Sequence, residues 1–215
     1  MFEQLTAAVS SDVRGLLEGA LEGKELSVKD AERLLNVQGL DFHALIAAAD
    51  LARKRDCGDD VTYVVCRNIN FTNVCYVGCS FCGFARHKDD KEESFDRSHE
   101  EILAKCQNAV ERGATEVCIQ GGIHPNKNHN HYREILEAIK AVYPKLHIRA
   151  YSPEEIDFGH KKSGMPLAEY LSWLVEAGLG TMPGTAAEIL DDEIRDILSP
   201  NKLKTDRWVE IIKAA

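Results

Sequence analysis

The sequence predicts an α/β protein built on a parallel sheet, and three observations carry that expectation. From residue 61 onward, short apolar runs at 61–72, 116–120, 147–151 and 179–182 alternate with amphipathic segments at 100–112, 132–142 and 167–177. Strand followed by helix, repeated, gives parallel strands joined by helical crossovers. Helix-start signals stand between these runs: Ser98 with Glu101, Ser152 with Pro153 and Glu155, and Thr185 with Glu188 each fit a capping box. Finally, a cysteine-rich loop follows the first strand, Gly121-Gly122 the second and Ser152-Pro-Glu-Glu155 the third. All three gather at the carboxyl end of such a sheet, where α/β folds place their chemistry.

The elements are justified in order. Residues 1–60 read as an N-terminal helical extension: Leu5, Val9, Val13, Leu16, Leu17 and Ala20 recur at spacings of three and four, as do Ala31, Leu34 and Leu35, then Phe42, Leu45, Ile46 and Ala49. Ser27 with Asp30 opens the second of these helices as a capping box. Residues 61–215 form the α/β core and close in an amphipathic helix over 206–215 that carries no stop signal. A full eight-unit barrel takes about 250 residues, so the residues after 60 suffice for about four units. The chain is therefore expected to be truncated, with part of the substrate pocket missing.

Composition excludes several classes. With 44% hydrophobic and 28% charged residues in 215, the chain buries a substantial core. A net charge of -9 argues against a nucleic-acid surface. No apolar run is long enough for a membrane span, and the first residues lack the basic start of a signal peptide. A cytoplasmic location, where thiols stay reduced, is expected.

The most informative stretch is Asn73-Val-Cys-Tyr-Val-Gly-Cys-Ser-Phe-Cys-Gly-Phe84, which sets Cys75, Cys79 and Cys82 in a Cys-x3-Cys-x2-Cys spacing. Three thiolates so placed can each hold one iron of a cubic 4Fe-4S cluster and leave the fourth iron open. Gly78 and Gly83 are expected to take positive φ where the loop turns around the cluster, and Phe81 to keep water off it. A zinc site that recruits His87 as a fourth ligand, or a disulfide, stays open as an alternative. The other cysteines, Cys57, Cys66, Cys106 and Cys118, read as structural. His124, His129 and His131 read as a solvated polar loop, and Arg86, His87, Lys88 and Lys91 as a solvated basic face that could dock an acidic electron donor.

The cysteine motif resembles the signature of the radical S-adenosylmethionine (SAM) enzymes. More narrowly, residues 67–85, Gly113-Ala-Thr-Glu-Val-Cys-Ile-Gln-Gly-Gly-Ile-His-Pro125 and Gly184-Thr-Ala-Ala-Glu-Ile-Leu-Asp-Asp-Glu193 resemble the tyrosine-using subunits of FO synthase (CofH). The resemblance implies a partial TIM-type barrel, a 4Fe-4S cluster on the three cysteines, and SAM chelated at the open iron. It implies a transferase that joins the 4-hydroxybenzyl group of L-tyrosine to 5-amino-6-(D-ribitylamino)uracil in deazaflavin biosynthesis. Its partners would be a one-electron donor such as ferredoxin or flavodoxin and a second radical SAM subunit of FO synthase. In this family a Gly-Gly-Glu stretch holds the amino group of SAM, so Gly121 and Gly122 become cofactor-binding candidates beside Phe81. Ile123 occupies the glutamate position. Tyr151, Ser152, Glu155 and Thr185 fall where a substrate would sit. The alternatives are a menaquinone-pathway enzyme with a futalosine-type substrate, or an iron-sulfur-binding fragment that lacks activity.

Overall fold

The structure is a computed structural model and describes residues 8–90 and 92–215; Leu5 and Lys91 lie outside the described residues. The chain divides into two compact units, the first ending at Tyr63 and the second running Val64–Ala215.

In the first unit three helices, α1 (Ser11–Leu21), α2 (Val28–Leu35) and α3 (Gly39–Cys57), close around Val9, Val13, Leu17, Leu34, Val37, Ala44 and Ala48. The Ser27–Asp30 capping box opens α2. Its Leu35 is exposed, as are Phe42 and Ile46 of α3, so the buried stripe of α3 differs from the expected one. Ala44 and Ala48 take the inner positions, and small side chains there let α3 approach its neighbours closely.

The second unit carries a parallel sheet, β1 (Cys66–Asn70), β2 (Glu116–Gln120) and β3 (His147–Ala150), in the order β1-β2-β3. The register sets Ile69 opposite Ile119 and Ile119 opposite Ala150. Crossovers α4 (His99–Glu111) and α5 (His129–Val142) join the strands, and α6 (Pro153–Ser163), α7 (Leu167–Glu176), α8 (Asp192–Leu198) and α9 (Thr205–Ala214) follow β3. Ile102, Val117, Ile119, Ile135, Leu136, Ile139 and Ile148 are buried between sheet and helices, and this apolar burial is the main stabilising term. An aromatic group extends that core, with the Tyr132 and Tyr151 rings 4.9 Å apart and Phe71 edge-on to both.

Several elements depart from expectation. The strand expected at 61–72 shortens to Cys66–Asn70, because Val61 and Tyr63 stand almost fully exposed and fall in the first unit. The run at 179–182 lies along β3 through a bond from Ala150 N to Thr181 O of 2.9 Å. It makes only one isolated bridge, Arg149 to Thr181, and Pro183, with no N–H to donate, ends the pairing. Thr185 and Glu188 cap no helix: Ala186 and Glu188 are left-handed, with φ of 66° and 43°, and α8 starts later on an Asp191 side chain that accepts from Glu193 N and Ile194 N. His131 is no loop residue but lies buried on α5. No helix among the described residues is long and apolar enough to cross a membrane.

Candidate functional site: a cysteine-lined cleft at the carboxyl end of the sheet

The loops after β1, β2 and β3 meet in a cleft of about 230 Å³. Cys75, Cys79 and Cys82 line it from the first loop, Gly121, Gly122 and Ile123 from the second, and Ser152, Glu154 and Glu155 from the third. A fourth segment adds Thr185, Ala186, Glu188 and Lys202.

Backbone bonds fasten the cysteine loop to its surroundings. Cys75 N donates to Arg86 O at 3.1 Å, Tyr76 N to Ile123 O at 3.1 Å, and Cys82 N to Cys79 O at 3.1 Å. Ser80 N donates to Leu198 O at 2.8 Å, and Asn201 Nδ2 to Val77 O at 3.2 Å. The loop is thereby held by three other parts of the chain before any ligand arrives. Gly78 has φ of 68°, as the turn requires, whereas Gly83 is not in the left-handed region and its expected positive φ is withdrawn. Phe84, stacked edge-on to Phe95 at 6.0 Å, supplies the aromatic wall of the cleft. Phe81 is 49% exposed and does not line it.

All seven cysteines are free thiols, so no disulfide forms. Among the described residues no three His, Cys, Asp or Glu side chains converge on one metal ion, and His87 turns outward to Asp89 at 3.1 Å. A mononuclear zinc site needs such convergence. A cubic cluster does not, because each thiolate binds a different iron. Three thiols brought to one cleft on a single loop are the donor set that such a cluster takes. Burial pushes the Cys79 thiol up, with the Lys202 ammonium pulling the other way. Iron binding would deprotonate it.

The Gly-Gly turn has no room for side chains. A Cβ on Gly121 would stand 2.6 Å from the Phe71 ring, and one on Gly122 would stand 2.8 Å from the Val74 carbonyl carbon. Glu155, 1% exposed, accepts from Gly121 N at 3.0 Å with Oε1, and from Ser152 N and Oγ, both at 2.7 Å, with Oε2. Thr185 Oγ1 accepts from Gln120 Nε2 at 2.8 Å and keeps its own proton to donate. Tyr151 is corrected: its side chain is fully buried in the aromatic core, with its hydroxyl donated to Tyr132 O at 2.6 Å.

Three residues here escaped the sequence reading. The Lys202 side chain is only 9% exposed and sits 2.6 Å from Glu188 Oε1. Glu154 accepts from Leu203 N at 2.9 Å. Arg195, 2% exposed, donates to the carbonyls of Ala187, Ile189 and Leu203 and so fixes the strained 186–189 loop. No spacing rule marks such residues, because each acts on a partner chosen by the fold. Arg86, by contrast, is engaged by Glu93 at 2.5 Å and by Gly83 O and Ala85 O. It staples the loop, while His87 and Lys88 of the expected basic face stay exposed.

Burial pushes the Glu155 carboxyl up to about 7 from an ordinary 4.5, and pushes His131 down to about 4 from 6.5. Between its two values Glu155 binds more proton in the folded state, so its contribution to stability declines as pH rises from about 4.5 to about 7. His131 binds more proton when unfolded, so its contribution is lost as pH falls from about 6.5 to about 4. The two oppose each other across the overlap, each worth about 3 kcal/mol at full extent. Glu155→Gln should remove one side and expose the other: urea unfolding of that variant should show a larger fall in stability from about pH 7.5 to about pH 5 than the parent does. An equal fall in both would refute the assignment.

The comparisons with known proteins agree with this geometry. The chain is 45% identical over 208 residues to "FO synthase" of Streptomyces avermitilis, covering 96% of this chain and 24% of that protein. It is 43% identical over 215 residues to "5-amino-6-(D-ribitylamino)uracil--L-tyrosine 4-hydroxyphenyl transferase" of Cyanothece sp., covering 96% of this chain and 56% of that one. The chain thus spans about a quarter to a half of the length of these relatives. Among solved structures, methylornithine synthase (PylB) superposes with a TM-score of 0.65 at 21% identity, covering 93% of this chain and 55% of that one, a likeness of fold. Residues 69–215 match the family described as the radical SAM superfamily, and with the thiol triad and parallel βα units in place, the chain belongs to that superfamily.

Proposed function

We propose that this chain is the core of a radical SAM transferase that joins the 4-hydroxybenzyl group of L-tyrosine to 5-amino-6-(D-ribitylamino)uracil. The observation that carries the reading is the meeting of Cys75, Cys79 and Cys82 with Gly121-Gly122 in one cleft, in a chain 43% identical to a relative named for that reaction. Cys75, Cys79 and Cys82 would hold a 4Fe-4S cluster, which when bound would supply the one-electron reduction of SAM.

The chain's own residues do the holding and shielding. Cys75, Cys79 and Cys82 present the thiolates from a loop already braced by Arg86, Ile123 and Leu198. Val77, Phe84, Ala85 and Ile123 give the cleft an apolar wall that excludes water from a reactive intermediate. Lys202 places a buried ammonium beside the thiols, balanced by Glu188. Gly121 and Gly122 offer backbone groups for the cofactor, while Ser152 and Thr185 offer hydroxyls at the rim. Phe81, outside the cleft, would act only at its mouth, where Lys202 Nζ lies 5.8 Å from its ring. Ferredoxin or flavodoxin would supply the electron, in a reducing cytoplasm, and a second radical SAM subunit would close the deazaflavin ring.

Anaerobic reconstitution with iron and sulfide, followed by dithionite, SAM, L-tyrosine and the ribitylaminouracil, tests the proposal. The expected products are 5'-deoxyadenosine and the coupled 4-hydroxybenzyl adduct, read by mass spectrometry. 5'-Deoxyadenosine that forms in response to a futalosine-type substrate and not to tyrosine would replace the reading with the menaquinone-pathway one.

A further inference from the structure

The Gly121-Gly122 turn spends both of its N–H groups on the protein. Gly121 N donates to Glu155 Oε1 at 3.0 Å and Gly122 N to Thr72 O at 2.8 Å. Among the described residues no donor takes the carbonyl oxygens of Gly121 or Gly122. A cleft-lining turn left with acceptors alone recognises a cationic donor, such as an ammonium group, and not an anion.

Glu155 sets that polarity. Its capping role needs only Oε2, which serves Ser152 of its own helix turn. Oε1 is free of that duty and reaches 34 residues back along the chain to Gly121. The acid comes from the third βα unit, whereas the position after Gly122, where the family's motif has its glutamate, holds the apolar Ile123.

We propose that Glu155 is a positioning residue for an amino-group subsite: from the start of α6 it locks the Gly121-Gly122 turn with both carbonyls open to the ammonium of an amino-acid-bearing cofactor. This rests on the reading of the cleft as the SAM site. The acid touches the turn and not the cofactor.

Equilibrium dialysis of SAM against the anaerobically reconstituted full chain, without reductant, tests the assignment alongside iron content and Tm. Glu155→Gln should raise the SAM Kd about tenfold or more, because an amide has one acceptor oxygen and cannot accept from both Gly121 N and Ser152 N as the two carboxyl oxygens do, at unchanged iron content. Ser98→Ala, which removes the corresponding capping hydroxyl of α4 outside the cleft, should lower Tm while the SAM Kd stays within about twofold. Glu155→Asp, too short to serve both partners, should repeat the Kd change if the glutamine variant folds poorly. The proposal is overturned if iron-replete Glu155→Gln or Glu155→Asp binds SAM as the parent does, or if Ser98→Ala weakens SAM as much as they do. A parent protein that holds iron and binds no SAM would sink the reading of the cleft itself, a result distinct from failure of Glu155 alone.

Discussion

Cys79→Ala is expected to abolish cluster assembly and every SAM-dependent product. Cys75 and Cys79 are half-buried against the core, and Cys82 stands at the exposed end of the same loop. With three thiolates each assigned to a separate iron and no fourth ligand at hand in the loop, loss of one leaves two irons without protein ligands. The reconstituted parent should carry about four irons per chain, as a cubic cluster requires. The variant should carry well under half that amount and yield no 5'-deoxyadenosine. Cys106→Ala is the matched control. That thiol is fully buried on α4, pushed up to about 11 by burial, and far from any ligand role, so its loss should cost packing and leave the iron content unchanged. Equal loss of iron in both variants, read by iron and acid-labile sulfide assays, would show that the effect comes from general destabilisation and would remove the triad from the cluster.

The contrast explains what was legible in the sequence. Local structure was readable where the residues involved are neighbours: the three cysteines and the Gly-Gly turn come to one cleft, and the boxes Ser98–Glu101 and Ser152–Glu155 form. The strand at Glu116–Gln120 was readable because every member of its apolar run is held from both sides, by β1 and β3. At the edges the same rules failed. Residues 61–65 have strand-forming side chains, but only Val65 reaches a neighbour, its carbonyl accepting from Thr115 N at 3.0 Å, and 179–182 meet Pro183 before a ladder can grow. Thr185 and Glu188 have the spacing of a cap, yet the buried Arg195 guanidinium draws the carbonyls of 186, 187 and 189 into a loop and overrides it. Tyr151 follows β3 like a site residue, but its left-handed backbone, with φ of 64°, turns the ring into the core.

Gly122→Ala should produce the second large effect, and its cause is backbone against backbone. The new methyl would press on Val74 O, 2.8 Å from the Val74 carbonyl carbon and 3.0 Å from Cys75 Cβ. A side chain in that position could rotate aside; a peptide cannot. Val74 is pinned on every side, by its own N–H bonded to Thr72 Oγ1 at 3.2 Å, by Cys75 N to Arg86 O, and by Tyr76 N to Ile123 O. Relief therefore requires separating the first two loops, which breaks the Gly122 N to Thr72 O bond and shifts Cys75. The expected cost is about 3 kcal/mol or more, from overpacking plus lost buried hydrogen bonds, together with loss of bound iron. Gly83→Ala provides the opposite case in the same motif: no atom stands within 4 Å of its Cβ and its backbone is not left-handed, so stability should change by about 0.5 kcal/mol or less and iron content should hold. Urea unfolding and iron analysis of the two variants side by side measure the difference. If Gly122→Ala proves as mild as Gly83→Ala, the loops are not locked together as described, and a carboxylate that orients one of them could not set the geometry of the other.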